Sequence, residues 1–210
     1  MRIDDRLRVQ VSNISKSIAM EIRLKNIYVS ERLSRETTAF QATLYINGYR
    51  AGIVANYGRG GATVYRPRDE QGAKLMREAK LWCRKLPPLV RDDEIVEGKS
   101  STIPMELDFY LDNMIMDWLR KKDRQRFAKK AERYMLTSIL FGVPGKNFRA
   151  MQYRLPIAAM IRMDKGVERL RMDIHNKVLP MLQDDEKILN TNIPVETIRL
   201  LEVPAGKWVG

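Results

Sequence analysis

Alternating apolar and polar positions dominate the first third of the chain. Two such runs meet at Asn47-Gly48, which is the strongest short hairpin signal because both residues tolerate the positive φ of a type I′ turn. We expect one face of each strand to be apolar and the two faces to meet. The facing positions are Thr38, Phe40, Ala42, Leu44 and Ile46 in the first run and Ala51, Ile53 and Ala55 in the second. An earlier run with Ile22, Leu24 and Ile27 predicts a further strand, and hence a sheet of about three to five strands centred on the hairpin.

A helix is predicted directly after this sheet. Asp69 can cap its start, and apolar residues recur at helical spacing until Pro87-Pro88 ends it. The helix most simply packs across the sheet. Its apolar positions are Ala73, Met76, Ala79, Cys83 and Leu86.

The pattern changes after this helix. Residues 89–104 mix charges with a glycine, serines and a proline, which predicts a linker or long loop. A helical stripe follows, lapses over residues 120–126 and resumes from Phe127 to Leu140. Either one long helix stands away from the core midway, or two helices meet at a charged turn. The first part of the stripe consists of Leu107, Leu111, Met114, Ile115 and Trp118.

Two more helices are predicted towards the C-terminus. The first has a stripe that ends near Pro180. The second begins near Pro194, with Thr191 or Asn192 as its cap, and contains Ile198 and Leu201. The stripe of the first is Val167, Leu170, Ile174, Val178 and Met181.

These elements together predict an α+β fold, in which an N-terminal antiparallel sheet with a packed helix precedes a mainly helical C-terminal half. We expect four segments along the chain. They are an extended arm or short first strand over residues 1–17, the sheet plus helix over 18–88, the linker or long loop over 89–104, and the helical region over 105–210.

A glycine-rich loop at the end of the hairpin is the first candidate site. The loop runs from Tyr57 to Gly61 and carries Arg59, so its backbone N–H groups can cradle a phosphate while the arginine adds charge. Glycines that simply turn the chain are the alternative. We expect Arg59 to form one cationic patch with the arginines that follow the loop and with two tyrosines that can stack on bases. Those residues are Arg66, Arg68, Tyr57 and Tyr65.

This region also carries a resemblance. Its residues resemble a block that recurs in small uncharacterised proteins of phages and bacterial mobile elements, for which no activity is established. The resemblance implies a mobile-element context, and many of those proteins have a histidine where this chain has Arg59. Two later segments, Leu86-Pro87-Pro88 and residues 189–194, are similar as well. The block comprises Glu36, Thr37, Phe40, Ala42, Leu44, Tyr45, Gly48, Gly52, Asn56, Gly58, Gly60 and Gly61.

Charge changes the picture most among the bulk properties. The 210 residues include 38 Lys and Arg against 26 Asp and Glu, giving a formal charge of +12. Such a surface suits nucleic acid or an acidic protein surface, although cationic proteins often bind no nucleic acid specifically. No run approaches the roughly 18 apolar residues of a membrane helix, so we expect no membrane partner. A single cysteine fits a cytoplasmic protein, in the host cell if phage-encoded.

The densest basic stretch is the second candidate site. Residues 120–133 hold eight cations against Asp123 and Glu132, and on a helix they can face a polyanion, an acidic partner or water. The cations are Arg120, Lys121, Lys122, Arg124, Arg126, Lys129, Lys130 and Arg133.

Few groups suited to catalysis are present, which favours a non-enzymatic protein without a cofactor. His175 is the only histidine, and Cys83 has no base nearby in sequence, so structural roles are expected for both. Asp108 and Asp112 are four residues apart and can share a helix face. We interpret them first as helix-start carboxylates, with a metal-dependent nuclease as the alternative.

The leading hypothesis is an accessory protein that binds nucleic acid non-specifically through phosphates. One alternative is a structural or interaction protein, such as a virion component or an inhibitor of a host protein, that forms a homo-oligomer or uses Trp118, Phe127 and Trp208 as exposed anchors. The other alternative is the nuclease.

Overall fold

The computed structural model describes residues 20–96 and 99–209, and the side chains of residues 20–89 and 102–209. The predicted arm over residues 1–17 lies outside the described residues. The chain divides into an N-terminal unit that ends at Met116 and a C-terminal unit that begins at Asp117.

The N-terminal unit is built on a four-stranded antiparallel sheet in the order β1-β2-β3-β4. Its strands are β1 (Ile22–Val29), β2 (Phe40–Ile46), β3 (Tyr49–Asn56) and β4 (Val64–Pro67). Asn47 and Gly48 have φ angles of 51° and 80°, which confirms the predicted hairpin turn.

The apolar face predicted for β3 is wrong at Ile53. The register between β2 and β3 shifts next to Leu44, where Ala51 is the extra residue. A bulge of one residue reverses the faces that follow it. Val54 is therefore buried, whereas Ile53 is exposed.

Helix α1 (Glu70–Cys83) packs on β3 and β4, as predicted. The side chain of Asp69 accepts a hydrogen bond from the Gly72 amide at 2.8 Å, which confirms the predicted N-cap. Gly72 lets the helix approach the sheet, because a Cβ atom there would lie 2.2 Å from the Ala51 carbonyl oxygen.

Residues 89–104 contain a hairpin where a linker or loop was predicted. Its strands are β5 (Leu89–Val96) and β6 (Lys99–Ile103). Charged residues interrupt the alternation in this segment, so composition favoured a loop although backbone pairing forms a ladder.

Helix α2 (Leu107–Met135) is continuous, which decides between the two alternatives for this region. The unit boundary at Met116 lies within it. Leu107, Leu111 and Ile115 are buried, but no side chain is buried between Ile115 and Ala131.

The C-terminal unit is less helical than predicted, since it contains a second antiparallel sheet in the order β8-β7-β9. The strands are β7 (Ser138–Gly142), β8 (Arg149–Gln152) and β9 (Lys187–Ile188). The prediction that the helix continues through Leu140 is wrong. All five residues of β7 are buried, and periodicity alone cannot distinguish a short, fully apolar strand from a buried helix.

Three helices pack with this sheet around one apolar core. They are α3 (Ile157–Arg162), α4 (Gly166–Asp173) and α5 (Val195–Leu200). Helix α4 continues into a π-helical turn (Ile174–Val178) and then a 3-10 turn (Leu179–Met181). The prediction missed α3 and placed the start of α5 correctly, but Leu201, which was expected inside this helix, is its C-cap residue. Pro194 stands at the N-cap of α5, so the cap predicted at Thr191 or Asn192 is wrong.

Candidate nucleic-acid interface

The glycine-rich loop after β3 is held by one buried side chain, Asn56. Its carbonyl oxygen accepts hydrogen bonds from the Thr37 hydroxyl (2.8 Å) and the Gly58 amide (2.9 Å). Its amide group donates to the Gly61 carbonyl (3.0 Å) and to the Thr63 hydroxyl (3.2 Å). Four partners satisfy the Asn56 amide completely, so this side chain ties the loop to Thr37 and Thr63.

Two of the loop amides that could cradle a phosphate are already engaged within the protein. The Gly58 amide donates to Asn56, and the Gly60 amide donates to the Thr37 hydroxyl at 3.4 Å. Gly58 and Gly60 both have positive φ angles, of 76° and 79°. These two glycines therefore allow the chain to turn, which is the other interpretation that the sequence left open.

The loop is joined to the segment that precedes β2. The Gly58 carbonyl accepts hydrogen bonds from the Arg35 amide (2.9 Å) and the Glu36 amide (3.1 Å). A Cβ atom on Gly58 would lie 2.2 Å from the Leu33 carbonyl oxygen. Only a glycine allows the two backbones to approach so closely, and this contact brings distant parts of the sequence together.

The two segments enclose a pocket of about 600 Å³, which we call the arginine pocket. Arg59 lines it, as does Tyr57, which is 64% exposed. Arg32 and Arg35 line it as well, and sequence reasoning missed both. The remaining lining residues are Leu33, Asn56, Gly61 and Ala62.

The patch predicted from Arg59, Arg66 and Arg68 does not form as one cluster. Strand β4 runs antiparallel to β3, so Arg66 pairs with Ile53 and the Arg68 amide donates to the Ala51 carbonyl. At about 3.3 Å per residue, β4 carries both arginines away from the loop. They line a separate pocket of about 120 Å³, and Arg68 lies 3.8 Å from Asp69.

The two tyrosines differ in the same way. Tyr57 lines the arginine pocket, whereas Tyr65 on β4 is half-buried and has the Lys80 ammonium 5.0 Å from its ring centroid. Tyr57 is consequently the better placed of the two for stacking.

The exposed part of α2 determines which cations of the second candidate site share one helix face. With 3.6 residues per turn, five of its cations fall within about 100° of arc, over about 16 Å of helix. We call this set the α2 stripe. It consists of Lys122, Arg126, Lys129, Lys130 and Arg133. The other three cations, Arg120, Lys121 and Arg124, point to other sides of the helix.

Aromatic rings and one carboxylate contact the stripe. The Lys122 ammonium lies 4.5 Å from the Trp118 ring centroid, and that of Lys130 lies 5.3 Å from the Phe148 ring. Arg126 pairs with Asp123 at 3.8 Å. These contacts are exposed and weak, so they leave the cations available to a stronger partner.

The helix-start carboxylates are engaged by the protein. The Thr63 hydroxyl donates a hydrogen bond to Asp112. Burial is the main cause that raises the pKa of Asp112, and the charge of Asp108 raises it further. The hydrogen bond from Thr63 lowers this pKa, but it does not cancel the rise. Asp108 accepts from the Phe109 amide. Both carboxylates line a pocket of about 430 Å³. Within the described part of the chain, no group of three or more His, Cys, Asp or Glu side chains is arranged to hold a metal.

Cys83 is buried, as the sequence predicted, and His175 is engaged with the backbone. Burial raises the pKa of the Cys83 thiol to about 11, which keeps it protonated and unreactive. The Nε2–H of His175 donates to the Leu201 carbonyl oxygen at 2.9 Å.

Residues 189–194 join several parts of the C-terminal unit through hydrogen bonds. The fully buried Asn190 accepts from the Leu140 amide (2.7 Å) and donates to the Ser138 carbonyl (2.9 Å). Asn192 donates to the Met135 carbonyl at the end of α2 (2.8 Å).

Trp208 packs on the apolar core of this unit, and its indole N–H donates to the Asn190 carbonyl. Phe127 packs on a second small core. The prediction that Phe127 and Trp208 are exposed anchors is therefore wrong.

Comparison with protein-family models, curated proteins and solved structures finds no match to this chain. Among the residues that the structure describes, no helix has both the length and the apolar character needed to cross a membrane.

Proposed function

We propose that the protein binds nucleic acid through its phosphates, with little base specificity, as an accessory protein of phage or mobile-element type. The α2 stripe is the observation that supports this best. Five cations share one helix face, four of them exposed and Lys122 half-buried, and on residues 117–135 no carboxylate falls inside that arc.

The length of the stripe fits a polyanion. B-DNA carries one phosphate charge per about 1.7 Å, so about 16 Å of duplex offers roughly ten charges to five cations. Neutralising phosphates releases condensed counterions, which gives an affinity that falls steeply with salt. Contacts of this kind do not read bases.

A pair of matched variants tests the assignment. The stripe variant carries Arg126→Gln, Lys129→Gln and Arg133→Gln, and the control carries Arg120→Gln, Lys121→Gln and Arg124→Gln. Both lose three charges from the same exposed helix. Binding to a duplex of mixed sequence is measured by fluorescence anisotropy at several salt concentrations.

The stripe variant should lower the slope of log affinity against log salt by about 3, whereas the control should change it by less than about 1. Equal losses in the two variants would show that net charge alone acts and would remove the stripe as the contact. A protein that self-assembles and retains no nucleic acid would overturn the proposal in favour of a structural or interaction protein.

A further inference from the structure

The arginine pocket is charged in one sense only. Arg32, Arg35 and Arg59 line it, and no carboxylate is among its lining residues. The ion pairs described within the N-terminal unit involve other cations, Arg23, Arg68 and Arg84. No described carboxylate lies within 4.0 Å of the three guanidinium groups of the pocket. Within residues 20–89 and 102–209, these three arginines therefore line one cavity without a carboxylate paired to any of them, and the Glu36 carboxylate lies beside Gly60 of the same loop.

The backbone that carries these arginines is fixed before any ligand arrives. Ser34 donates through its hydroxyl to the Ser30 carbonyl (2.8 Å) and accepts from the Ala39 amide (2.9 Å). The Arg35 amide donates to the Gly58 carbonyl (2.9 Å), which ties this segment to the loop that carries Arg59. A preorganised framework lowers the entropic cost of binding.

The pocket also has an apolar side. Tyr57 and Leu33 are 64% and 58% exposed, and Ala62 lies beside them. A volume of about 600 Å³ falls within the range typical of sites for organic ligands and exceeds what an inorganic anion fills. Guanidinium groups suit phosphate oxygens through paired hydrogen bonds, and an exposed tyrosine ring suits a planar base.

We propose that the arginine pocket binds a nucleotide by its terminal phosphate, with the three arginines around the phosphate and the base against Tyr57. A terminal phosphate carries nearly two charges at pH 7, so three arginines favour it over the singly charged phosphodiester. The Asn56 amide is fully engaged by the loop and offers nothing to a base edge. Different bases should therefore bind within a few-fold of one another.

This site does not depend on the α2 stripe. Its occupant is a single nucleotide unit, either a free nucleoside monophosphate or the phosphorylated end of a strand. Both present the same phosphate and base, and the experiment separates them.

Isothermal titration calorimetry on the full chain measures binding of adenosine 5′-monophosphate, adenosine and phenyl phosphate. A second set compares a 5′-phosphorylated decathymidylate with its 5′-hydroxyl form. Both sets are repeated with Arg35→Gln, with Arg59→Gln and with Arg77→Gln, which removes the same charge from an exposed position on α1 outside the pocket. They are also repeated in the stripe variant.

The monophosphate should bind at least about tenfold more tightly than adenosine, and Arg35→Gln or Arg59→Gln should each weaken it by about tenfold. Arg77→Gln should leave the affinity within about twofold. If the monophosphate shows no preference but the 5′-phosphorylated strand binds at least tenfold more tightly than its hydroxyl form, the occupant is a strand end and the proposal stands.

Three results would overturn the proposal. The first is an absence of preference for the phosphate in both sets. The second is an equal loss in all three arginine variants. The third is phenyl phosphate binding as tightly as the monophosphate, which would assign the pocket to phosphorylated aromatic side chains. The preference should survive in the stripe variant, so failure of the pocket and failure of the stripe are separate results.

Discussion

The arginine pocket and the α2 stripe present cations in opposite ways. In the pocket, three arginines meet around one cavity because backbone hydrogen bonds join the two segments that carry them. Along the stripe, five cations follow one face of an exposed helix, and weak contacts with rings and a carboxylate hold some of them. The first arrangement suits one compact anion, and the second suits a chain of charges. Charge alone therefore does not define a binding site, because the backbone beneath it decides which anion fits.

The largest effect is expected from a substitution at the close backbone contact that shapes the arginine pocket. Gly58→Ala forces a side chain into a positive φ and against the Leu33 carbonyl oxygen. Strain and overpacking together should lower the free energy of unfolding by about 4 kcal/mol. Gly61→Ala is the matched control, since a Cβ atom there meets nothing within 4 Å and should change stability by less than about 1 kcal/mol. Urea unfolding measures both, and equal stabilities would refute the close backbone contact.

Salt should separate the two sites next. If all five stripe cations contact phosphates, raising salt from about 50 to 200 mM should weaken duplex binding several hundredfold. Binding of adenosine 5′-monophosphate to the pocket should weaken by less than about tenfold, since few counterions are released from a small ligand. Anisotropy and calorimetry measure these two quantities. Parallel salt dependences would remove the distinction between the sites.

Local signals in the sequence predicted the elements that local chemistry determines. Asn47-Gly48 specified the hairpin turn, and Asp69 specified the start of α1. The stripe is also present in the sequence, at spacings of 4, 7, 8 and 11 residues from Lys122, but it becomes visible only once the helix is known to be continuous.

Features that depend on distant contacts were not predictable in this way. Arg32 and Arg35 join Arg59 only because Gly58 lets two backbones touch, and nothing near either arginine signals this. A bulge turned Ile53 outward, and the continuous apolar run of β7 gave the same pattern as a buried helix. The order of the fold, with the sheet before the helices, could be predicted from the sequence. The meeting of the three arginines in one pocket could not.

A smaller effect sharpens the description of the stripe. Asp123 borders the stripe and pairs with Arg126 at 3.8 Å, so Asp123→Asn should free that arginine and raise duplex affinity by about threefold at low salt. Asp117→Asn is the control, because its partner Arg120 lies off the stripe. Both replacements should change the unfolding free energy by less than about 0.5 kcal/mol. An equal gain in affinity from both would indicate that the stripe has no special position.

The smallest effect concerns the carboxylate at the end of the hydrogen-bond chain that begins at the loop. Burial raises the pKa of Asp112, so the folded chain holds its proton more tightly than the unfolded chain does. The unfolding free energy of the wild type, measured relative to Asp112→Asn, should therefore increase as pH falls from neutral through that raised pKa. Water partly reaches the group, so the gain should stay below about 1 kcal/mol.

Urea unfolding of the two proteins between pH 7 and pH 4 measures this difference. Thr63→Val provides the control, because it removes the hydrogen bond that lowers the pKa of Asp112 and should move the transition to higher pH. This shift would show that Asp112 is hydrogen-bonded to Thr63, whose hydroxyl also accepts from Asn56 of the loop. Parallel profiles for the wild type and Asp112→Asn would instead mean that the pKa of Asp112 is the same in the folded and unfolded chains, which would contradict a shift dominated by burial.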